Sequence, residues 1–389
     1  MSDFDFSTPI DRRNGDSTKW NRYAGRDVLP LWVADMDFAA PPAVLDALRR
    51  RTDHGVFGYA QPWPGLVDAV VDHLRDAYRW RIDPAWIVWI PGVVAAFNVV
   101  CRAVGETGDA VFTATPVYPP FLTAPQLSGR RLASEALVRD GSRWGWDFAA
   151  TEKRIAGSRA KLWLLCHPHN PVGRAWNEAE LAAIGALAEK YDLTVCSDEI
   201  HGGLVLDPTV RHVPLAALSP QLAQRTVTLI APSKTFNIPG LYCALAIVPD
   251  PALRRRMHAV MDGIMPAVNT LGLVATEAAF RECADWHAAL IETLRANAAR
   301  VAAAVAQMPG LAMTPVEATY LAWIDCRGLG VDAPQKFFEQ AGVGLSDGGA
   351  FGLGDDYRQF VRLNFACPAA LLDEALGRMA RAVAAARQR

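Results

Sequence analysis

The chain has no long uninterrupted apolar run. Its richest stretch, Ile82 to Val104, is broken by Asp83, Pro84, Pro91, Gly92, Asn98 and Arg102, so no membrane span of about 20 residues is expected. No signal peptide is expected in Met1 to Lys19, which is polar and acidic with no apolar run. No charge of one sign dominates. The 39 Lys and Arg residues against 41 Asp and Glu leave a formal net charge of −2, and the basic residues are dispersed, which gives a nucleic-acid partner no footing. Cysteine lacks any pairing pattern. The seven are odd in number and scattered, with no CxxC and no cluster with histidine, so neither a disulfide framework nor a metal centre is expected. Buried reduced thiols in a cytoplasmic protein fit better, and Cys196, inside an apolar run, reads as packing. Repeats and low-complexity segments are absent as well.

What is present is ample material for a core. At 389 residues and 51% apolar, the chain exceeds one comfortable core and suggests two domains, or a large domain with a smaller lobe. From about Ile87 to Asp250 short apolar runs alternate with helical patterns. The expected strands are Ala110 to Thr115, Lys161 to Cys166, Leu193 to Ser197, Thr226 to Ala231 and Ala244 to Val248. Asn177 with Glu180 predicts a capping box opening a helix through Lys190. Continuous apolar strands interleaved with helices predict an α/β fold with a mostly parallel sheet covered on both faces. Ligands of such sheets sit at the carboxyl ends of the strands. Beyond about Ala279 the pattern changes to a long helix (Trp286 to Met308), strand-like runs Tyr320 to Asp325 and Phe360 to Phe365, and a closing helix Leu371 to Arg387, which predicts a smaller α+β lobe joined by the N-terminal segment.

Chemistry-bearing residues follow these strands. Lys234, in Ala231-Pro-Ser-Lys-Thr-Phe-Asn-Ile-Pro-Gly240, stands just past one of them, although a solvated surface lysine is the ordinary alternative. Asp198, in Val195-Cys-Ser-Asp-Glu-Ile-His201, suits a partner for a protonated heterocyclic nitrogen, with His201 within reach of the same ligand. It suits a helix cap equally well, with Glu199 as a dipole partner. In His167-Pro-His-Asn-Pro-Val-Gly173 the Asn170 amide can donate to a ligand oxygen, or the segment can be a simple turn. The two histidines have no carboxylate or cysteine at metal-ligand spacing. Ile90-Pro-Gly-Val-Val opens an apolar helix whose first amides suit a phosphate, without a Walker ending. Tyr118, in Pro116-Val-Tyr-Pro-Pro120, suits stacking on a planar ligand. Arg362, alternating with apolar residues in Phe360-Val-Arg-Leu-Asn-Phe365, suits a bidentate grip on a carboxylate.

In this order the set resembles the aspartate-aminotransferase superfamily, fold type I of the pyridoxal 5′-phosphate (PLP) enzymes. It is similar in detail to the MalY/PatB-type cystathionine β-lyase branch. The branch-like segments are Pro30-Leu-Trp-Val-Ala-Asp-Met-Asp-Phe38, His54-Gly-Val-Phe-Gly-Tyr59, Ser197-Asp-Glu-Ile-His201, Ser233-Lys-Thr-Phe-Asn-Ile238 and Val361-Arg-Leu-Asn-Phe365, and the likeness runs from about Asp27 to the end. The resemblance implies a large PLP-binding domain over residues 46–280 with a mostly parallel seven-stranded sheet flanked by helices. Residues 1–45 and 281–389 would form the smaller α+β domain.

It also implies roles. Lys234 would carry the cofactor and shuttle the substrate Cα proton. Asp198 would pair with the ring nitrogen, and Asn170 and His201 would lie near the ring's 3-oxygen. Tyr118 would stack on the ring and help activate the incoming amine. Val93 and Val94 amides with Ser233 would hold the phosphate. Tyr59 of the partner subunit would reach the phosphate and the substrate side, so the expected unit is a homodimer with active sites at its interface. Arg362 would bind the substrate carboxylate, with Asn170 beside it and the backbone near Ala34 closing over it. Trp32, Phe38, Tyr118 and Tyr320 are the expected pocket walls, favouring apolar thioether tails. Two positions depart from the superfamily pattern: Tyr242 stands where many members carry a phosphate-binding arginine, and Val172 where threonine is usual. The expected reaction on a small amino-acid substrate is β-elimination of a thiol from an S-substituted cysteine. An aminotransferase shares its early steps, and a regulatory protein on the same fold is the reading from another class.

Overall fold

The computed structural model describes residues 4–141 and 143–387. Met1, Ser2 and Asp3, at the head of the expected smaller domain, lie outside the described residues. The central sheet has seven strands: β1 (Ile87–Ile90), β2 (Ala110–Thr115), β3 (Arg131–Ala136), β4 (Ala160–Cys166), β5 (Thr194–Asp198), β6 (Thr226–Ile230) and β7 (Ala244–Ile247). Across the sheet they run β1-β7-β6-β5-β4-β2-β3. All neighbouring pairs from β6 to β3 are parallel, and β7 is antiparallel to both β6 and β1. The mostly parallel seven-stranded α/β sheet is therefore present. Every residue of β2 and of β6 is buried, as expected of strands covered on both faces, which read as continuous apolar runs. The sequence reading did not name β1 and β3. β3 is an edge strand with partly exposed, mixed residues (Arg-Leu-Ala-Ser-Glu-Ala), so no apolar run marks it.

Helix α1 (Val93–Ala103) follows β1 and packs on β1, β5, β6 and β7. Helix α2 (Glu178–Lys190) opens with the expected box: Asn177 accepts from the Glu180 amide and Glu180 accepts from the Asn177 amide. The strand ends deliver the motifs to one rim. β2 leads to Tyr118, β4 to Asn170, β5 ends in Asp198, and β6 runs into the turn that carries Lys234.

A second, four-stranded sheet lies further along the chain: β8 (Ala312–Met313), β9 (Leu321–Asp325), β10 (Ser346–Asp347) and β11 (Phe360–Asn364), in the order β8-β9-β11-β10 and antiparallel throughout. Helices α3 (Ala284–Ala306) and α4 (Ala369–Ala386) share one apolar cluster with it, in which Leu290, Leu294, Val301, Leu372 and Leu376 meet Leu321, Ile324, Val361 and Leu363. The N-terminal segment reaches this part of the molecule, with Leu29–Pro30 pairing in parallel with Val343–Gly344. Among the described residues no helix is long and apolar enough to cross a membrane, and all seven cysteines are buried and free.

The box at the start of α2 satisfies two amides that the helix cannot. Asn177→Ala should cost about 1 kcal/mol of stability, read as a lower urea midpoint at unchanged slope. An unchanged midpoint would mean that the ion pairs of Glu180 with Arg174 hold this helix start by themselves.

Candidate active site

Lys234 sits in a compact turn closed by bonds from the Phe236 amide to the Pro232 carbonyl (2.9 Å) and from the Ile238 amide to the Ser233 carbonyl (3.0 Å). Asn237 ends the turn in the left-handed region at φ +53°, which asparagine tolerates better than most residues. Its side chain fastens the turn to the irregular segment Trp32–Phe38. It accepts from the Met36 amide (2.9 Å) and donates to the Met36 (3.1 Å) and Phe38 (2.8 Å) carbonyls. Against that strap Lys234 Nζ donates to the Ala34 carbonyl at 2.6 Å, and the Tyr320 hydroxyl donates to the same oxygen at 3.0 Å.

Arg362 projects from β11, and its guanidinium is tied through both terminal nitrogens. Nη1 donates to Asn170 Oδ1 (3.1 Å), and Nη2 donates to the Trp32 carbonyl (2.9 Å) and Ser346 Oγ (3.2 Å). The group lies over the Phe351 ring at 4.8 Å, and Nε is buried without a hydrogen-bond partner. Asn170 is locked in turn, since its carbonyl accepts from the Tyr118 amide (3.1 Å).

Asp198, at the end of β5, is 5% exposed. The helix-cap alternative fails here: the chain turns at Asp198 rather than entering a helix, and Oδ1 accepts from the Ile200 amide (3.2 Å). Burial pushes this carboxyl up to about 7, against the pull of the Ile200 amide and of the Lys234 charge. Glu199 faces away into the protein. It accepts from Ser197 Oγ (2.8 Å) and the Leu215 amide (3.1 Å), and lies 2.8 Å from His212 Nε2, so it braces the turn. His201 is buried with Nδ1 unpartnered; burial, with the charges of Lys234 and Arg362, pushes it down to about 3. Burial and the Arg362 charge push Lys234 down to about 8, and burial pushes Arg362 down to about 10.

The fold thus gathers Lys234, Ala34, Asn170, Tyr118, Asp198, His201 and Arg362. Val93 and Val94 open α1, and their amides precede the first intrahelical bond, from the Ala96 amide to the Gly92 carbonyl (3.0 Å). Ser233 borders Lys234. Tyr59 stands fully exposed on the surface of this chain, beside exposed Val56 and Phe57. Tyr242 is exposed, with φ +48°. Of the expected pocket walls, Tyr320 and Tyr118 lie beside this set. Trp32 is covered by Arg22 at 4.5 Å, and Phe38 packs into the core on Phe6 at 5.1 Å. Sequence reasoning missed Ser346 and the bracing Glu199–His212 pair. Neither stands in a local motif, because Ser346 bonds the Trp32 carbonyl far along the chain and Glu199 is paired by His212 from outside its own segment.

This arrangement suits a planar heterocycle. A buried carboxylate short of partners invites a cationic ring nitrogen, an unpartnered imidazole nitrogen invites a ring substituent, and open helix amides invite a phosphate. Comparison with known proteins agrees. The family pattern described as aminotransferase class I and II matches residues 26–379. The cystathionine β-lyase PatB of Bacillus subtilis (strain 168) is 35% identical over 383 residues, covering 96% of this chain and 98% of PatB. The crystal structure of OvoB matches with a TM-score of 0.94 at 47% identity, covering 98% of this chain and 99% of that one. Cystalysin from Treponema denticola, whose crystal structure contains a pyridoxal 5′-phosphate cofactor, matches with a TM-score of 0.94 at 34% identity, covering 98% and 99%.

The lowered affinity of Lys234 for its proton is testable in cofactor-free protein. Acylation of its amine, followed by mass spectrometry against pH, should show a midpoint near about 8 rather than the ordinary 10.5. Since Arg362 repels the ammonium form, Arg362→Gln should move that midpoint upward. A midpoint that stays or falls would show that the guanidinium charge does not reach the amine.

Proposed function

The chain belongs to the aminotransferase class I and II family, and from that premise we propose that it is a PLP-dependent carbon–sulfur β-lyase. It cleaves cystathionine or another S-substituted L-cysteine to a thiol, pyruvate and ammonia. The observation that carries the reading is the Lys234 amine, held on the Ala34 carbonyl at 2.6 Å, with buried Asp198 and a buried Arg362 guanidinium with free bonding capacity gathered by the same fold. The likeness to PatB over nearly the whole chain favours the lyase outcome over amino-group transfer.

Pyridoxal phosphate, when bound, supplies an electron sink for the substrate Cα, so that a proton there can be lost and a thiolate can leave from Cβ. The chain supplies the rest. Lys234 holds the cofactor and removes the Cα proton. An amine near pKa 8 is a competent base at neutral pH, which one at its ordinary value is not. Asp198 would pair with the ring nitrogen and keep it protonated; a cation beside it would favour the ionised carboxylate that burial alone disfavours. His201 and Asn170 would bond the ring's 3-oxygen, Tyr118 would stack on the ring, and Val93, Val94 and Ser233 would hold the phosphate. Arg362 grips the α-carboxylate with Asn170 alongside, and the Ala34 backbone closes over the substrate.

The lobes are read as residues 46–280 and residues 1–45 with 281–389, which makes the site a seam between them. The working unit is read as a homodimer, in which Tyr59 of the partner subunit reaches the phosphate and the substrate side. The exposed apolar Val56 and Phe57 beside Tyr59 support a face that a second copy covers. Buried free thiols support a reducing, cytoplasmic setting.

Purified enzyme loaded with cofactor should release thiol and pyruvate from cystathionine with no amino acceptor present. A strict need for a keto acid would reverse the assignment to aminotransferase. Lys234→Ala should abolish both turnover and the visible absorbance of lysine-bound cofactor. Arg362→Ala should raise KM by roughly 10–100-fold, the worth of a charge-assisted bond of about 1.5–3 kcal/mol.

A further inference from the structure

Residues 31–40 form no helix or strand, and backbone bonds tie the strap that meets Lys234 and Arg362 to its neighbours only at Leu31 (with Gly344, 2.8 Å, and Asn364, 2.9 Å) and at Asp37 (amide to the Ala366 carbonyl, 2.9 Å). Between these points side chains hold it. On the face near the site these are Asn237, Tyr320, Arg362 and Ser346, described above. Asn364 adds bonds to the Val33 and Asp35 carbonyls, both at 2.7 Å. On the other face lies a buried ionic cluster in which none of the proposed site residues takes part.

Lys19, with a fully buried side chain, donates to Asp37 Oδ2 (2.6 Å) and to the Asp35 carbonyl (3.1 Å). Asp37 also accepts from Trp20 Nε1 (2.9 Å) and Arg12 Nη1 (2.7 Å). Arg12 reaches Asp35 Oδ2 (2.7 Å) and the Met36 carbonyl (3.1 Å) as well. Two cations and two carboxylates therefore converge on strap residues 35–37, next to the carbonyl that Lys234 meets.

We propose that Lys19 and Asp37 are positioning residues for the reaction. Their buried ion pair fixes the strap so that the Ala34 carbonyl stays on Lys234 and the Trp32 carbonyl stays on Arg362. This rests on the lyase reading above. A buried ion pair is a poor device for stability alone, because apolar side chains of similar volume serve as well or better. Its directional bonds do what apolar packing cannot: they define where each strap carbonyl points. Loosening the strap reaches two groups at once, the base through Ala34 and the carboxylate-binding guanidinium through Trp32.

The test uses cofactor-loaded Lys19→Met and Asp37→Asn enzymes acting on cystathionine, with Arg12→Ala as a milder third variant, since Arg12 is about a quarter exposed and its loss leaves the Lys19–Asp37 pair in place. Amide hydrogen exchange should quicken in the strap but not in the central sheet. The visible absorbance of bound cofactor should persist, kcat should fall at least tenfold, and KM should rise severalfold. Arg12→Ala should move the same quantities in the same direction by less, and it keeps the test alive if the buried variants do not fold. Variants that merely melt earlier, with kcat and KM per loaded enzyme within twofold of wild type, would overturn the proposal. So would loss of the cofactor absorbance itself, which would place the pair in cofactor retention. Wild-type enzyme that releases no thiol would sink the lyase reading and this inference together; an active wild type with indifferent variants would sink this inference alone.

Discussion

The hydrogen bond from Lys234 Nζ to the Ala34 carbonyl joins residues 200 positions apart, and the site depends on it. It puts the amine under a strap of backbone rather than in bulk water. Burial there, with Arg362 nearby, disfavours the ammonium and brings the amine to about 8. The same strap takes a bond from Arg362 through the Trp32 carbonyl, so Lys234 and Arg362 share one support. That support carries no regular secondary structure. Backbone bonds anchor it at Leu31 and Asp37, and side chains contributed by distant parts of the chain hold most of its carbonyls.

The charges of the site are individually unfavourable where they lie. Asp198 is pushed up, and Lys234, His201 and Arg362 are pushed down, with burial the first cause in each. Their neighbours satisfy them only partly: His201 Nδ1 and Arg362 Nε are buried without partners. Such a set stores binding capacity for a ligand that brings a cation to Asp198 and a carboxylate to Arg362. The geometry is fixed beforehand, so little reorganisation is needed when the ligand arrives. On the lyase reading, the capacity to pull a proton from Cα would follow from this arrangement. The fate of the electrons left behind depends on what stands on Cβ, which is why the lyase and transferase readings share most of their residues.

Much of this was legible in the sequence. The buried strands β2, β4, β5, β6 and β7 announce themselves as apolar runs, because a strand covered on both faces has no polar positions to spare. The capping box at Asn177 and Glu180 is local chemistry and reads locally. Lys234, Asp198, Asn170 and Tyr118 stand just past strands, and a parallel sheet sends its strand ends to one rim. By contrast β3, an edge strand half in water, has no apolar signature to find.

The tertiary structure decided the rest, for one physical reason: a contact between segments far apart in the chain leaves no pattern in either segment. Asp198 could have capped a helix; only the turn after β5, braced by Glu199 and His212, turns it toward Lys234. Trp32–Phe38 belongs to a branch-like segment, but its own residue pattern does not tell what holds it. That its carbonyls are gripped by Asn237, Asn364, Arg362 and Lys19 emerges only when the segments meet. The sequence alone determined which groups stand at the strand ends and on what scaffold. Folding determined how dry they are, how far their pKa values move, and what holds them still.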